Sequence, residues 1–134
     1  MSELPKGLDD KSLPMPDPAS AQVIRTYGPG RFLISEREWR EPVLVTPIVT
    51  VPLGIVRAED LTVEALAFLK TLPTPTELLV LGCGARAVFV PPDKRAVFKA
   101  AGLGLEVVDT GSACRIYNVL LAEGRRVAAA LIPV

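Results

Sequence analysis

"LEVVDTGSACRIYNVLLAEG", residues 105–124, is the stretch from which the rest of the chain can be read. "LEVVD" is a short apolar run of the kind that forms a buried strand. From Ser112 on, the period changes. Ala113, Ile116, Tyr117, Leu120 and Leu121 fall on one helical face, and Gly124 stops the helix. Between the two lies a tight turn in which Thr110 or Ser112 is placed to accept the first helical N–H groups. Gly111 suits such a turn, and Asp109 sits near the positive end of the helix dipole.

The same alternation extends outward. "ELLVLGC", 77–83, is a continuous apolar strand of the kind covered on both faces. "PPDKRAVFKAAG", 91–102, begins with proline at a helix N-terminus and ends on Gly102. "RVAAALIPV", 126–134, is a last strand. Residues 77–134 therefore read β-α-β-α-β, with parallel pairing and right-handed crossovers. Upstream, "QVIRTYG", "RFLIS", "PVLVT" and "VTVPL" are strand-like, with "GPG" at 28–30 as a hairpin turn. Pro42, Pro47 and Pro52 suit strand ends. "EDLTVEALAFLKTL", 59–72, is expected to be an amphipathic helix burying Leu61, Ala65, Phe68, Leu69 and Leu72, halted by Pro73 and Pro75. The fold class is α/β: three layers around a mixed β-sheet, with an antiparallel N-terminal meander, then β-α-β-α-β with helices on the sheet. The expected organisation is a Pro-rich N-terminal tail over 1–21 and a single α/β domain over 22–134.

Composition narrows the function. The 134 residues hold 15 basic and 15 acidic side chains, which gives no electrostatic reason for a nucleic-acid partner. No apolar run reaches the length of a membrane span, so no membrane insertion is expected. Residues 1–21 carry four prolines, Glu3, Asp9 and Asp10, without an apolar core or an Arg, unlike a secretory or mitochondrial leader. Histidine is absent, which removes Ser-His and Cys-His nucleophile pairs and the commonest metal ligand. Cys83 and Cys114 form no metal-type cluster, so no metal or cofactor is expected, and two thiols in a well-cored domain point to the cytoplasm.

"VVDTGSA", 107–113, also has the form of an aspartic-protease active-site loop, in which two such aspartates share a proton. Its position argues against that chemistry. After Gly111 the chain reads as one helix and one strand, with no room for a flap and a bracing loop. No catalytic residue is assigned.

Residues 79–133 closely resemble one family. Its marks are Gly82 and Gly84 after a buried strand, Pro91 and Pro92, Asp109-Thr110 with Ala113, Tyr117-Asn118, and "EGRRVAAAL" from Glu123. "GPGRFLI" and Trp39 are similar to the family's first hairpin. The family includes the mitochondrial respiratory complex I assembly factor three, an adipogenesis-associated vertebrate protein and many uncharacterised prokaryotic proteins. Cys83 and Ile116 stand where the family often has Thr. The resemblance implies a compact three-layer α/β domain and an assembly-factor-like binding role, with no established reaction.

Two kinds of site follow. Parallel sheets favour ligands beyond the carboxyl ends of their strands. If strands 77–82 and 105–109 are neighbours, Gly82, Cys83, Gly84, Arg86, Asp109, Thr110, Cys114 and Asn118 can line one crevice. Its "GCGAR" shares only glycines with a phosphate loop. Cys114 in a first helical turn is either an activated or a buried thiol. Asn118 is a poor mid-helix residue and suits a hydrogen bond to a neighbouring loop. Alternatively Trp39, if exposed, anchors a partner, with Arg126 as a clamp for a carboxylate. If buried, Trp39 belongs to the core. The favoured function is a non-catalytic protein-binding module with an unidentified protein partner. The alternatives are a small-molecule or anion binder, or an enzyme, using the crevice, and a homodimer of structural role.

Overall fold

The computed structural model describes residues 21–134, so the expected tail lies outside the described residues apart from Ala21. Among the described residues, eight strands form two sheets. β1 (Ile24–Gly28), β2 (Arg31–Ile34) and β3 (Arg37–Trp39) make an antiparallel three-stranded sheet. β4 (Val43–Val45), β5 (Thr50–Pro52), β6 (Leu78–Gly82), β7 (Gly104–Val108) and β8 (Val127–Leu131) form a second sheet in the order β5-β4-β8-β6-β7. β6 pairs in parallel with both β7 and β8, and β4 is antiparallel to β8 and β5. The β-α-β-α-β half is as read from the sequence, with α1 (Pro92–Ala100) and α2 (Thr110–Ala122) as the crossovers.

Only the second part of the expected meander, β4 and β5, joins the main sheet, whereas β1, β2 and β3 form a sheet of their own. The chain leaves the first sheet after Trp39, passes Pro42, which has no N–H to give a ladder, and starts the second sheet at Val43. Alternate residues of the central strands then face two separate apolar clusters. Val80, Val127, Ala129 and Leu131 meet α2 and the three-stranded sheet. Leu79, Leu81, Ala128 and Ala130 meet α1 and the segment 53–72. The central Ala128, Ala129 and Ala130 are fully buried, and their small side chains let both outer layers approach closely.

The expected amphipathic α-helix over 59–72 is instead two 3-10 segments, Ala58–Asp60 and Glu64–Thr71. Leu66 interrupts the second with a φ of −104° and ψ of 16°. The pattern explains the difference. Val63, Leu66, Leu69 and Leu72 recur every third residue and all pack on the sheet, which suits three residues per turn. The Thr62 hydroxyl accepts from the Ala65 N–H (3.1 Å) and tightens the first turn.

Candidate functional site

β6 and β7 are neighbours, so the loops at their carboxyl ends do meet. They meet closed. The Thr110 N–H donates to the Gly84 carbonyl (2.9 Å), and the Gly84 N–H donates to Thr110 Oγ1 (2.8 Å). The Thr110 hydroxyl donates in turn to the Ile132 carbonyl (2.6 Å). Fully buried Thr110 thus ties together the ends of β6, β7 and β8. Gly82 is part of the seal: a Cβ there would lie 2.9 Å from the Ala113 Cβ and 3.0 Å from the Thr110 Cα. Below about 3 Å the backbone must shift, which is why a glycine stands at this crossing.

Asp109, rather than Thr110 or Ser112, caps α2. Its carboxylate accepts from the Ser112 N–H (3.1 Å) and the Ser112 hydroxyl (2.7 Å). These hydrogen bonds hold the carboxyl below its ordinary range. Tyr27 closes over the same turn, and any Cβ on Gly111 would run into its hydroxyl.

The two thiols do not share a mouth. Cys114 lies in the cluster under α2, and burial pushes it up to about 12. Cys83 packs against the cluster on the opposite face of the sheet, and burial raises it as well. Both are free, and both are held as thiols rather than nucleophilic thiolates. Arg86 is exposed. Of the expected crevice, the structure brings together Gly82, Gly84, Asp109 and Thr110, and it disperses Cys83, Arg86, Cys114 and Asn118.

Asn118 works two turns further along α2. Its Nδ2 donates to the Ile24 carbonyl (2.8 Å) and its Oδ1 accepts from the Ile24 N–H (3.0 Å). The side-chain amide thereby acts as a strand partner for β1. Next to it, the Tyr117 hydroxyl donates to the Gln22 carbonyl (2.8 Å) from a fully buried ring. Burial raises the Tyr117 phenol, so it stays protonated as a donor. The Tyr117-Asn118 pair is the joint between the helix layer and the three-stranded sheet.

Trp39 is not an exposed anchor. It is 6% accessible, packed in the cluster under α2, with the Arg37 guanidinium 3.9 Å from its ring centroid. Arg126 is held too. Its guanidinium pairs with Glu77, while its carbonyl accepts from the Glu77 N–H (2.8 Å). The sequence reading made Arg126 a clamp for a carboxylate of a partner, and nothing in the pattern singled out Glu77.

Two concave regions lie elsewhere. One, of about 330 Å³, sits between the segment 58–61 and the loop 88–91 over β6, beside α1. Phe89 lines it at 81% exposure, and Val56, two residues before that segment, is 77% exposed. The other, of about 560 Å³, opens at the amino end of β8. Val23, Ile48, Leu72 and Leu121 are among its walls, and Asn118, Arg125 and Arg126 also border it. Phe89 and this second cleft were missed in the sequence. Phe89 stands between Val88, half-buried, and Val90, buried, and in the short apolar run Val88-Phe89-Val90 no local signal marks which of the three is left in water.

The fold and its sealed strand ends define a three-layer α/β domain whose helix-sheet joints carry its most distinctive residues. The chain belongs to the family described as "Protein of unknown function (DUF498/DUF598)", whose model matches residues 24–132. Among its relatives is the NADH dehydrogenase [ubiquinone] 1 alpha subcomplex assembly factor 3 of Danio rerio, 34% identical over 91% of this chain and 70% of its own length. The Xenopus tropicalis protein of the same name is 32% identical over 87% of this chain, which spans 64% of that relative. An uncharacterised protein of Rhodobacter capsulatus is 38% identical over 86% of this chain and 87% of its own. Among solved structures, a Bordetella parapertussis protein superposes with a TM-score of 0.77 at 30% identity, covering 86% of this chain and 98% of that one. A Bordetella pertussis protein described as an Mth938-like domain gives 0.73 at 26% identity, covering 91% of this chain and 92% of that one. Among the described residues no helix is long and apolar enough to cross a membrane.

Proposed function

We propose that this chain is a non-catalytic protein-binding module of the assembly-factor kind, and that it docks a subunit of a respiratory NADH dehydrogenase. Relatives named as assembly factors of that enzyme support the role, and they match most of this chain. The structural observation that carries the reading is the solvent exposure of Phe89 and Val56 on one side of the sheet. Large apolar side chains beside a cavity make effective anchors, because a partner desolvates them on both flanks. The cytoplasm is the proposed compartment, in keeping with two unpaired thiols. The residues that looked chemical, Asp109, Thr110, Cys114 and Asn118, are engaged in the fold. The test is affinity purification of the tagged chain from its native cell, with NADH dehydrogenase subunits quantified by mass spectrometry. Enrichment over an untagged control supports the reading, and recovery at the control level overturns it.

A further inference from the structure

We infer that the cleft of about 560 Å³ at the amino end of β8 is a binding site for a linear aliphatic carboxylate. This goes beyond the docking role, and it lies apart from Phe89. The volume falls within the roughly 300–1,000 Å³ typical of small-ligand sites. Its position is the reverse of the one expected for a parallel sheet. The strand ends that usually hold ligands are sealed by Thr110, and the open space lies at the other end of the sheet, where α2 finishes.

The lining decides the chemistry. Val23, Pro47, Ile48, Leu72, Leu121 and Val127 give hydrocarbon walls. Several of the polar groups among them are already engaged. Both ends of the Asn118 amide are taken by Ile24, the Pro47 carbonyl accepts from the Gln22 N–H (3.1 Å), and the Ile48 N–H donates to Thr46 Oγ1 (3.3 Å). A peptide backbone laid here would lose water from its N–H and C=O groups and gain few partners, at a cost of about 1–3 kcal/mol for each group. An alkyl chain carries no such penalty. The buried part of the occupant is therefore hydrocarbon.

The rim decides the charge. Arg125 and Arg126 border the cleft side by side. Arg126 is neutralised by Glu77, whereas Arg125 is exposed and has no ion pair among the described residues. The backbone end of α2 is closed on itself, with the Arg125 N–H donating to the Leu120 carbonyl (2.9 Å) and the Gly124 N–H to the Leu121 carbonyl (3.0 Å). The Arg125 guanidinium is thus left over as a fork for a carboxylate at the mouth. An apolar trough with one uncompensated cation at its lip matches a molecule with an alkyl body and one anionic end.

The test is isothermal titration of the full chain with dodecanoate below its micelle-forming concentration, with dodecanol and acetate as comparison probes. Saturable binding of dodecanoate is expected, with no binding of acetate and weaker binding of dodecanol. Arg125→Gln is expected to weaken dodecanoate about fivefold and leave dodecanol unchanged. Ala122→Trp, at an exposed position on the cleft wall, fills the mouth and abolishes binding of both. Circular dichroism and denaturation of each variant confirm that it folds. The inference is overturned if the unmodified chain shows no saturable binding, or if dodecanol binds as tightly as dodecanoate. It is equally overturned if both variants bind like the unmodified chain. Self-association of the chain that Ala122→Trp abolishes would also overturn it, making the cleft an interface between copies.

Discussion

The two faces of the five-stranded sheet are built differently. On one, α2 and the three-stranded sheet are tied to the core by side chains that reach far along the sequence: Thr110 to Gly84 and Ile132, Tyr117 to Gln22, Asn118 to Ile24. On the other, 3-10 segments and α1 rest on apolar contact, and the long-range side-chain bonds are exposed ones, from Lys94 Nζ to the Glu59 carbonyl (2.7 Å) and from Arg95 to the Leu105 carbonyl (3.3 Å). Phe89, Val56 and Val97 stand in water on the segments of this second side. The most distinctive residues therefore belong to the closed face, where they do structural work, and the two most exposed large apolar side chains, Phe89 and Val56, belong to the loosely covered one.

That contrast makes unequal demands on mutation. Tyr117→Ala is expected to cost about 3–5 kcal/mol, because it empties a fully buried ring site and orphans the Gln22 carbonyl. Urea denaturation measures it, and a loss near that of a surface substitution would break the contrast. Thr110→Val keeps the shape but leaves the Gly84 N–H and the Ile132 carbonyl without partners, costing about 2–3 kcal/mol in the same assay. Asn118→Ala removes both bonds to Ile24, for about 2 kcal/mol. Its sharper readout is hydrogen exchange, in which the Ile24 amide should lose protection while the Ala129 amide of β8 keeps its own.

A smaller effect comes from Asp109. Its folded-state pKa is depressed by Ser112, so the carboxylate favours the folded state above its ordinary value of 3.8. That contribution is lost as pH falls through the folded value. Asp109→Asn should lower stability at neutral pH, where the carboxylate contributes, and change it little below the folded value, so that the acid limb of the stability profile flattens, as followed by denaturation from neutral to acid pH. The smallest effect belongs to the other face. Phe89→Ser should alter unfolding by no more than about 0.5 kcal/mol, since the ring is already in water.

Much of the closed face was legible in the sequence. Apolar runs bounded by proline and glycine marked β6, α1, β7, α2 and β8, and the strand-to-helix turn was read as a capped one, although with Thr110 or Ser112 as the cap in place of Asp109. What α2 reaches for was not written there. Asn118 bonds a residue 94 positions away, and no local period names a partner at that distance. Trp39 sits in the polar setting "EREWRE", yet β3 turns it inward while Glu38 faces out and the exposed Arg37, on the side of Trp39, lies over its ring. The segment 59–72 was misread because a spacing of three and a spacing of 3.6 share most positions over so short a run. The large cleft was invisible for a different reason. Its walls come from the start of β1, the β4–β5 turn, the residues before β6 and the end of α2, so it exists only once the layers are assembled.

The central claim is that the loosely covered face meets the partner and the bonded face holds the fold. Recovery of NADH dehydrogenase subunits with a Phe89→Ser/Val56→Ser chain, at matched folded fraction and relative to the unmodified chain, tests it most directly. The account predicts a drop of about tenfold or more with stability unchanged. Undiminished recovery would contradict it.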